Sequence, residues 1–389
     1  MKTKLLRKKD IPQYISDILL FLTCFMIFVV RIINNSETTQ SIALGVLVIT
    51  GTIGILWLFH DKKSFILLYI FFASIGWGFT YLMRTYWQYD FIYFLNSIMY
   101  MGAAYIFLRY EQNEKSYIIL FCLVVIYVIF AIQIRGDSIR GFMKDGTSYN
   151  YISVICLFFL TLYSLVRISK GKGLSYLQAI IFFYVAIISY GRGGIITAGS
   201  FLICTALGKI LENRKQYKTH LILIILILIT LLFGEQIADA FLGTGYFAKF
   251  QRYRMETGRT YIWSVFWEQS LSNIPSFIIG EPPIDIVPDG NLHNSFFQMY
   301  VSFGIVFFLL NVYLIVVAVI QNIKKKQYWL LFLFMVFFVR AFLDRLMYRG
   351  YMEIAYYYFI FDYLNSKNTM HNSIKRRELE GTDHFLINL

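Results

Sequence analysis

Charged side chains are scarce in this 389-residue sequence: Asp, Glu, Lys and Arg make up 15% of it, against roughly a quarter in a soluble domain. Apolar residues make up 58%, more than a water-soluble core absorbs, so a soluble globular domain is excluded. Cysteine is rare as well. Cys24, Cys122, Cys156 and Cys204 all lie inside apolar stretches with neither paired nor metal-ligand spacing, which excludes a disulfide framework and a zinc module. No small-x-small cleavage site follows the first apolar run, so MKTKLLRKKD leads into a retained span and not a signal peptide. No internal repeat or low-complexity tract is apparent.

What is present is a series of apolar stretches parted by short charged clusters. Each stretch is long enough, at about 1.5 Å per residue, to cross most or all of a bilayer core. The pattern predicts an all-α polytopic integral membrane protein of about twelve transmembrane helices, at residues 15–33, 41–59, 64–83, 91–108, 116–134, 149–168, 174–190, 194–210, 220–234, 295–320, 328–343 and 351–365. The connectors HDKK, RYEQNEK, SKGKG, ENRKQYKTH and QNIKKKQ are basic or carry lysine, which places them and both termini in the cytoplasm. That rule accounts for much of the net charge of +13 and removes the need for a nucleic-acid partner. Residues 1–366 are expected to form one transmembrane domain and 367–389 a cytoplasmic tail. One connector, residues 235–294 between spans nine and ten, is a large extracytoplasmic loop, and its Tyr, Phe and Trp content argues for a folded segment.

The two basic residue types part company on this topology. Every lysine except Lys144 and Lys249 falls on the cytoplasmic side, whereas Arg31, Arg84, Arg135, Arg192, Arg252, Arg254, Arg259 and Arg340 are among the arginines that fall outside or at outer helix ends. Topology alone disfavours both on that face. The planar guanidinium fork matches phosphate oxygens in a bidentate way that lysine does not reproduce, so the set points to an anionic ligand at the outer face. Singly, Arg31 and Arg84 read as anchors at lipid headgroups.

Three patches on the predicted outer face each put a functional side chain at a helix N-terminus. In SYGRGGIITAG, Arg192 occupies a tight hairpin before span eight, and Gly193 and Gly194 either cap that hairpin or let an anion approach the positive helix end. In TGRTYIWSVFWEQS, Arg259, Trp263 and Trp267 recur at i, i+4 and i+8, which suits a phosphate with an attached sugar, or an interfacial aromatic belt. Upstream, Arg252 and Arg254 offer further anion contacts. In DGNLHNSFFQMYVSFG, His293 and Asn294 start span ten, and His293 is the one histidine placed on the outer side, as a polar cap or a base.

Arg-Gly-Gly between two spans, then Gly-Arg-x-x-x-Trp and His-Asn-Ser in a large outer loop, resembles the O-antigen ligase and O-antigen or capsule polymerase superfamily. The Arg-x10-Gly pattern of some polymerases is absent, since Ile203 and Ser270 stand at the glycine positions. The resemblance implies a glycosyltransferase in the cytoplasmic membrane with an undecaprenyl-diphosphate-linked oligosaccharide as donor and acceptor and no metal or other cofactor. It implies Arg192 and Arg259 at the donor diphosphate, His293 as general base, and Arg252, Arg254, Gly193, Gly194, Trp263 and Asn294 as substrate contacts. A flippase and a chain-length regulator are the partners that go with such a polymerase. Asp285 or Asp289 is expected to orient the histidine, unless each is only a turn residue. A ligase with another acceptor fits the same residues. A lipid-linked oligosaccharide flippase is the non-enzyme alternative, opposed by the lack of a six-plus-six repeat, and a metal-dependent glycosyltransferase is poorly served by an outer loop, NNSETTQ, whose one carboxylate is Glu37.

Overall fold

The computed structural model describes residues 11–33, 36–83, 91–135, 150–189, 191–212, 221, 224–225, 259–283, 285–286, 292–346 and 350–366. Among them every regular element is helical. In chain order these are α1 (Ile11–Phe28) with a π turn over Val29–Ile33, α2 (Glu37–His60), α3 (Ser64–Met83), α4 (Phe91–Arg109), and α5 (Glu114–Ile129) with a π turn over Phe130–Ile134. There follow α6 (Asn150–Ser169), α7 (Tyr176–Ile188), α8 (Arg192–Glu212), α9 (Arg259–Ser270), α10 (Ile274–Ile279), α11 (Ser295–Lys324), α12 (Tyr328–Leu343) and α13 (353–366).

Among the described residues eight helices, α1 to α6, α8 and α11, with α1 and α5 taken together with their π turns, are long and apolar enough to cross a membrane, while α7 and α12 are apolar but shorter. The expected twelve spans are thus met only in part: the one at 220–234 lies almost wholly outside the described residues, as does the tail at 367–389. The helices alternate in direction, and polar contacts between their ends fix that alternation. At one end Arg109 pairs with Asp61 at 3.0 Å, and Lys172 and Arg167 pair with Glu114 at 2.7 and 3.3 Å. Every described lysine lies at this end. The opposite end carries Arg31, Arg135, Arg192, Arg259, Arg340 and Arg345.

Two features position the arginine-rich end. Trp329, in the first turn of α12, packs where a Cβ on Gly173 or Gly208 would stand, 2.5 and 2.1 Å from its ring, and its indole donates to Glu212 at 2.6 Å. This contact joins the start of α12 to the end of α8, so the two helices run antiparallel and the start of α8 reaches the end of α12. The second feature is a kink in α11 at Gly304, whose φ of 76° and ψ of 172° fall in a region open essentially to glycine alone. Thr80 of α3 donates to the Ser302 carbonyl at 2.9 Å just before the break. The short outer segment of α11 that results carries the residues following His293.

Candidate functional site

The described part of the large connector is a compact unit laid on α11 and α12. Phe266 stacks on Phe297 at 5.0 Å between ring centroids, and Trp263 meets Phe297 and Phe342 edge-on at 5.7 and 5.5 Å. Phe266, Leu292, Tyr300 and Val301 form a small buried core of their own. The polar groups close around it. Asn273 caps α10 by accepting from Ser276 N at 2.8 Å, the Glu281 amide donates to Ser270 Oγ at 2.9 Å, and Tyr300 donates its hydroxyl to the Phe277 carbonyl.

This unit brings Arg259 to the end of α12, where its Nη1 donates to the Leu343 carbonyl. The last carbonyls of a helix have no partner inside it and face the negative end of its dipole, so a guanidinium there is favourable. One donor of five is used in this way. Trp263 donates its indole N–H to the Leu292 carbonyl at 2.8 Å, which fixes the backbone just before His293.

The motif His293-Asn294-Ser295 divides into three tasks. Asn294 is fully buried and caps α11, its Oδ1 accepting from the amides of Phe296 and Phe297 at 2.9 and 3.2 Å. Its Nδ2 is buried with no acceptor among the described residues. Ser295 donates to the Asp344 carbonyl at 2.9 Å and accepts from the Leu346 amide at 2.8 Å, which ties α11 to the segment after α12. His293 has a φ of 49°, in the left-handed region that few residues other than glycine adopt, and its Nδ1 lies 3.7 Å from Asp344 Oδ1.

Asp344 is the hub. Its other oxygen, Oδ2, meets Arg340 Nη2 at 3.1 Å, and Oδ1 accepts from the Arg345 amide at 2.9 Å. Arg340 is 1% exposed and Asp344 15%, so the cation of the pair is buried and its carboxylate partly so. Burial works against ionisation of Asp344, but His293, the charge of Arg340, the Arg345 amide and the charge of Arg259 outweigh it and hold the carboxyl down at about 2. Asp344 is therefore a carboxylate at any physiological pH.

Of the residues expected from sequence, Arg259, Trp263, His293 and Asn294 are brought together at the end of α12. Arg192 opens α8, and by the α8–α12 register it stands at the same end of the bundle. Gly193 and Gly194 are buried in the first turn of α8, and Gly194 has a packing reason of its own: a Cβ there would lie 2.5 Å from Ser153 Oγ on α6. Arg252, Arg254 and Asp289 lie outside the described residues. Asp285 stands in an exposed turn, and the carboxylate beside His293 is Asp344. Asp344, Arg340 and Ser295 were not expected at the site. The i, i+4 spacing of an arginine and an aspartate inside the apolar run FFVRAFLD was the signal for the first two. Searches of protein-family models and of curated proteins found no match to the chain.

Proposed function

We propose that this protein is a metal-independent membrane glycosyltransferase that joins undecaprenyl-diphosphate-linked repeat units into O-antigen or capsular polysaccharide. In this reading it has twelve spans and works at the outer face of the cytoplasmic membrane. The observation that carries the proposal is the cluster at one end of the bundle: a histidine held in the left-handed region beside an ionised, partly buried carboxylate, with Arg259 docked on the same helix end. That is a base, an orienting acid and a cation within one small volume.

The acceptor hydroxyl oxygen attacks the anomeric carbon of the donor, and a new glycosidic C–O bond forms as the bond to the diphosphate breaks. The lipid diphosphate leaves with the bonding electrons. Arg192 and Arg259 offset the charge that develops on it, a contribution typically worth about 3 to 4 kcal/mol per well-placed donor. His293 takes the acceptor proton. With Nδ1 turned toward Asp344, Nε2 is the nitrogen assigned to that proton, and Asp344 stabilises the imidazolium that results.

The test uses purified full-length protein with lipid-linked repeat units. Wild type is expected to lengthen the chains, and His293→Ala to reduce the rate by about 10² to 10⁴, the usual cost of a lost proton acceptor. Polymerisation that survives the alanine change would remove His293 from the mechanism. A wild type that forms no glycosidic bond with the cognate donor and acceptor, yet moves the lipid across a bilayer, would favour the flippase.

A further inference from the structure

A cavity that bears on this end of the bundle lies away from the Arg259–His293 cluster, between α1, α2 and α4. It measures about 600 Å³, within the size range of small-molecule sites. Arg31 and Tyr351 stand at the arginine-rich end and Ile27, Leu44 and Leu47 lie deeper, with Asn96 and Tyr100 at that deeper level, since Gly51 of α2 packs on Met99 of α4. Glu37 also lines it, and from Glu37 to Leu47 along α2 is about 15 Å at 1.5 Å per residue. That depth is close to half of a hydrocarbon core of about 30 Å, the reach of one leaflet.

The polar mouth holds groups that the protein does not itself use. Tyr351 is 4% exposed, yet its hydroxyl has no hydrogen-bond partner among the described residues. Arg31 has neither an ion pair nor a hydrogen bond among them, and its guanidinium lies 5.7 Å from the Tyr351 ring centroid. Arg31 and Tyr351 also line a second, small cavity of about 20 Å³ with Tyr151 and Arg345. Arg345 Nη1 is buried without a partner among the described residues. Two guanidinium groups and an unsatisfied phenol thus converge at the top of an apolar groove, and Arg345 directly follows Asp344 in the chain.

We propose that this groove holds a lipid phosphate, with the phosphate at Arg31, Tyr351 and Arg345 and the hydrocarbon chain between α1, α2 and α4. Its placement makes it the anchor of the acceptor glycan, separate from a donor at Arg192 and Arg259. The acceptor role rests on the glycosyl-transfer reading; the lipid site does not. Glu37 and Gln40 at the mouth can hydrogen-bond sugar hydroxyls, which explains a carboxylate near an anion site.

Binding of undecaprenyl phosphate to the full-length protein in detergent, followed by native mass spectrometry, tests this directly. In an Arg259→Ala background, which weakens the proposed donor site, Arg31→Ala, Tyr351→Phe and the groove-filling Leu44→Trp are each expected to weaken the remaining binding about tenfold, and undecaprenol, which lacks the phosphate, to bind poorly. Tyr351→Phe keeps the ring and removes only the hydroxyl, so its effect is separable from misfolding. Wild-type binding by Tyr351→Phe and Leu44→Trp together would overturn the site. Equal binding of phosphatidylglycerol would keep the lipid-phosphate site and overturn the acceptor role. A wild type that binds the lipid but joins no repeat units with cognate donor and acceptor would sink the glycosyl-transfer reading and leave the groove assigned.

Discussion

Asp344→Asn isolates the hub of the cluster while preserving its shape. The fall of the carboxyl from its ordinary 3.8 to about 2 corresponds to about 2.5 kcal/mol at 1.36 kcal/mol per pH unit. Because the pKa is depressed in the folded state, this stabilisation is fully present above about pH 4 and is lost as pH falls from there toward 2. Asparagine removes it at every pH. It also leaves Arg340 as a buried cation without its counter-charge, a situation that typically costs about 3 to 5 kcal/mol. Asparagine keeps one acceptor oxygen for the Arg345 amide, so a loss of roughly 2.5 to 4 kcal/mol is expected. At about 1 to 1.5 °C per kcal/mol for a chain of this size, Tm falls by roughly 3 to 6 °C. Thermal unfolding of the purified protein in detergent measures this. Adding Arg340→Met removes the orphaned charge and is expected to restore at least half of the loss. A single variant that melts with wild type, or a double variant that melts below the single, would refute the hub.

Arg192→Lys and Arg259→Lys are each expected to lose most polymerising activity at normal abundance, because lysine keeps the charge and loses the fork; near-normal polymer from both reduces them to anchors. Gly304→Ala forces a Cβ into a glycine-only conformation, 3.1 Å from the Ile278 carbonyl and 3.2 Å from the Thr80 methyl, and is expected to cost roughly 1 to 3 kcal/mol in a melting experiment. A wild-type Tm would show that α11 runs on through this position. Impermeant thiol labelling in intact cells is expected to reach Gly290→Cys and to miss Lys325→Cys; the reverse pattern turns the topology over.

The helical class and most element positions were legible because apolar length is written locally: 64–83 and 328–343 match α3 and α12 at both ends. Arg259 and His293 stood out for the same reason, since each sits at a sequence-visible helix start. What escaped was the partnership. His293 and Asp344 meet only because α11 and α12 form a hairpin and Ser295 pins its outer end, and no periodicity encodes that contact. Asn294 illustrates a different difficulty. An Asn immediately before Ser-Phe-Phe is a helix cap by rule, and a functional reading competed with that rule. For Gly194, absence of a side chain was informative, but the neighbour that needs the space, Ser153, is 41 positions away in the chain.

The contact of Trp329 with Gly173, Gly208 and Glu212 has a consequence at the far end of the bundle. It sets the phase of α12 against α8 at one point, and everything beyond that point is carried by rigid helix. Inserting one residue into α12 past Trp329 would turn Arg340 and Asp344 by about 100° about the helix axis and shift them by about 1.5 Å. His293 and Arg259 would then face an apolar side chain in place of the carboxylate. An insertion of the same size in the KKKQ connector before Trp329 leaves the phase untouched. The two insertions differ by a few positions in sequence, and only the first dismantles the site.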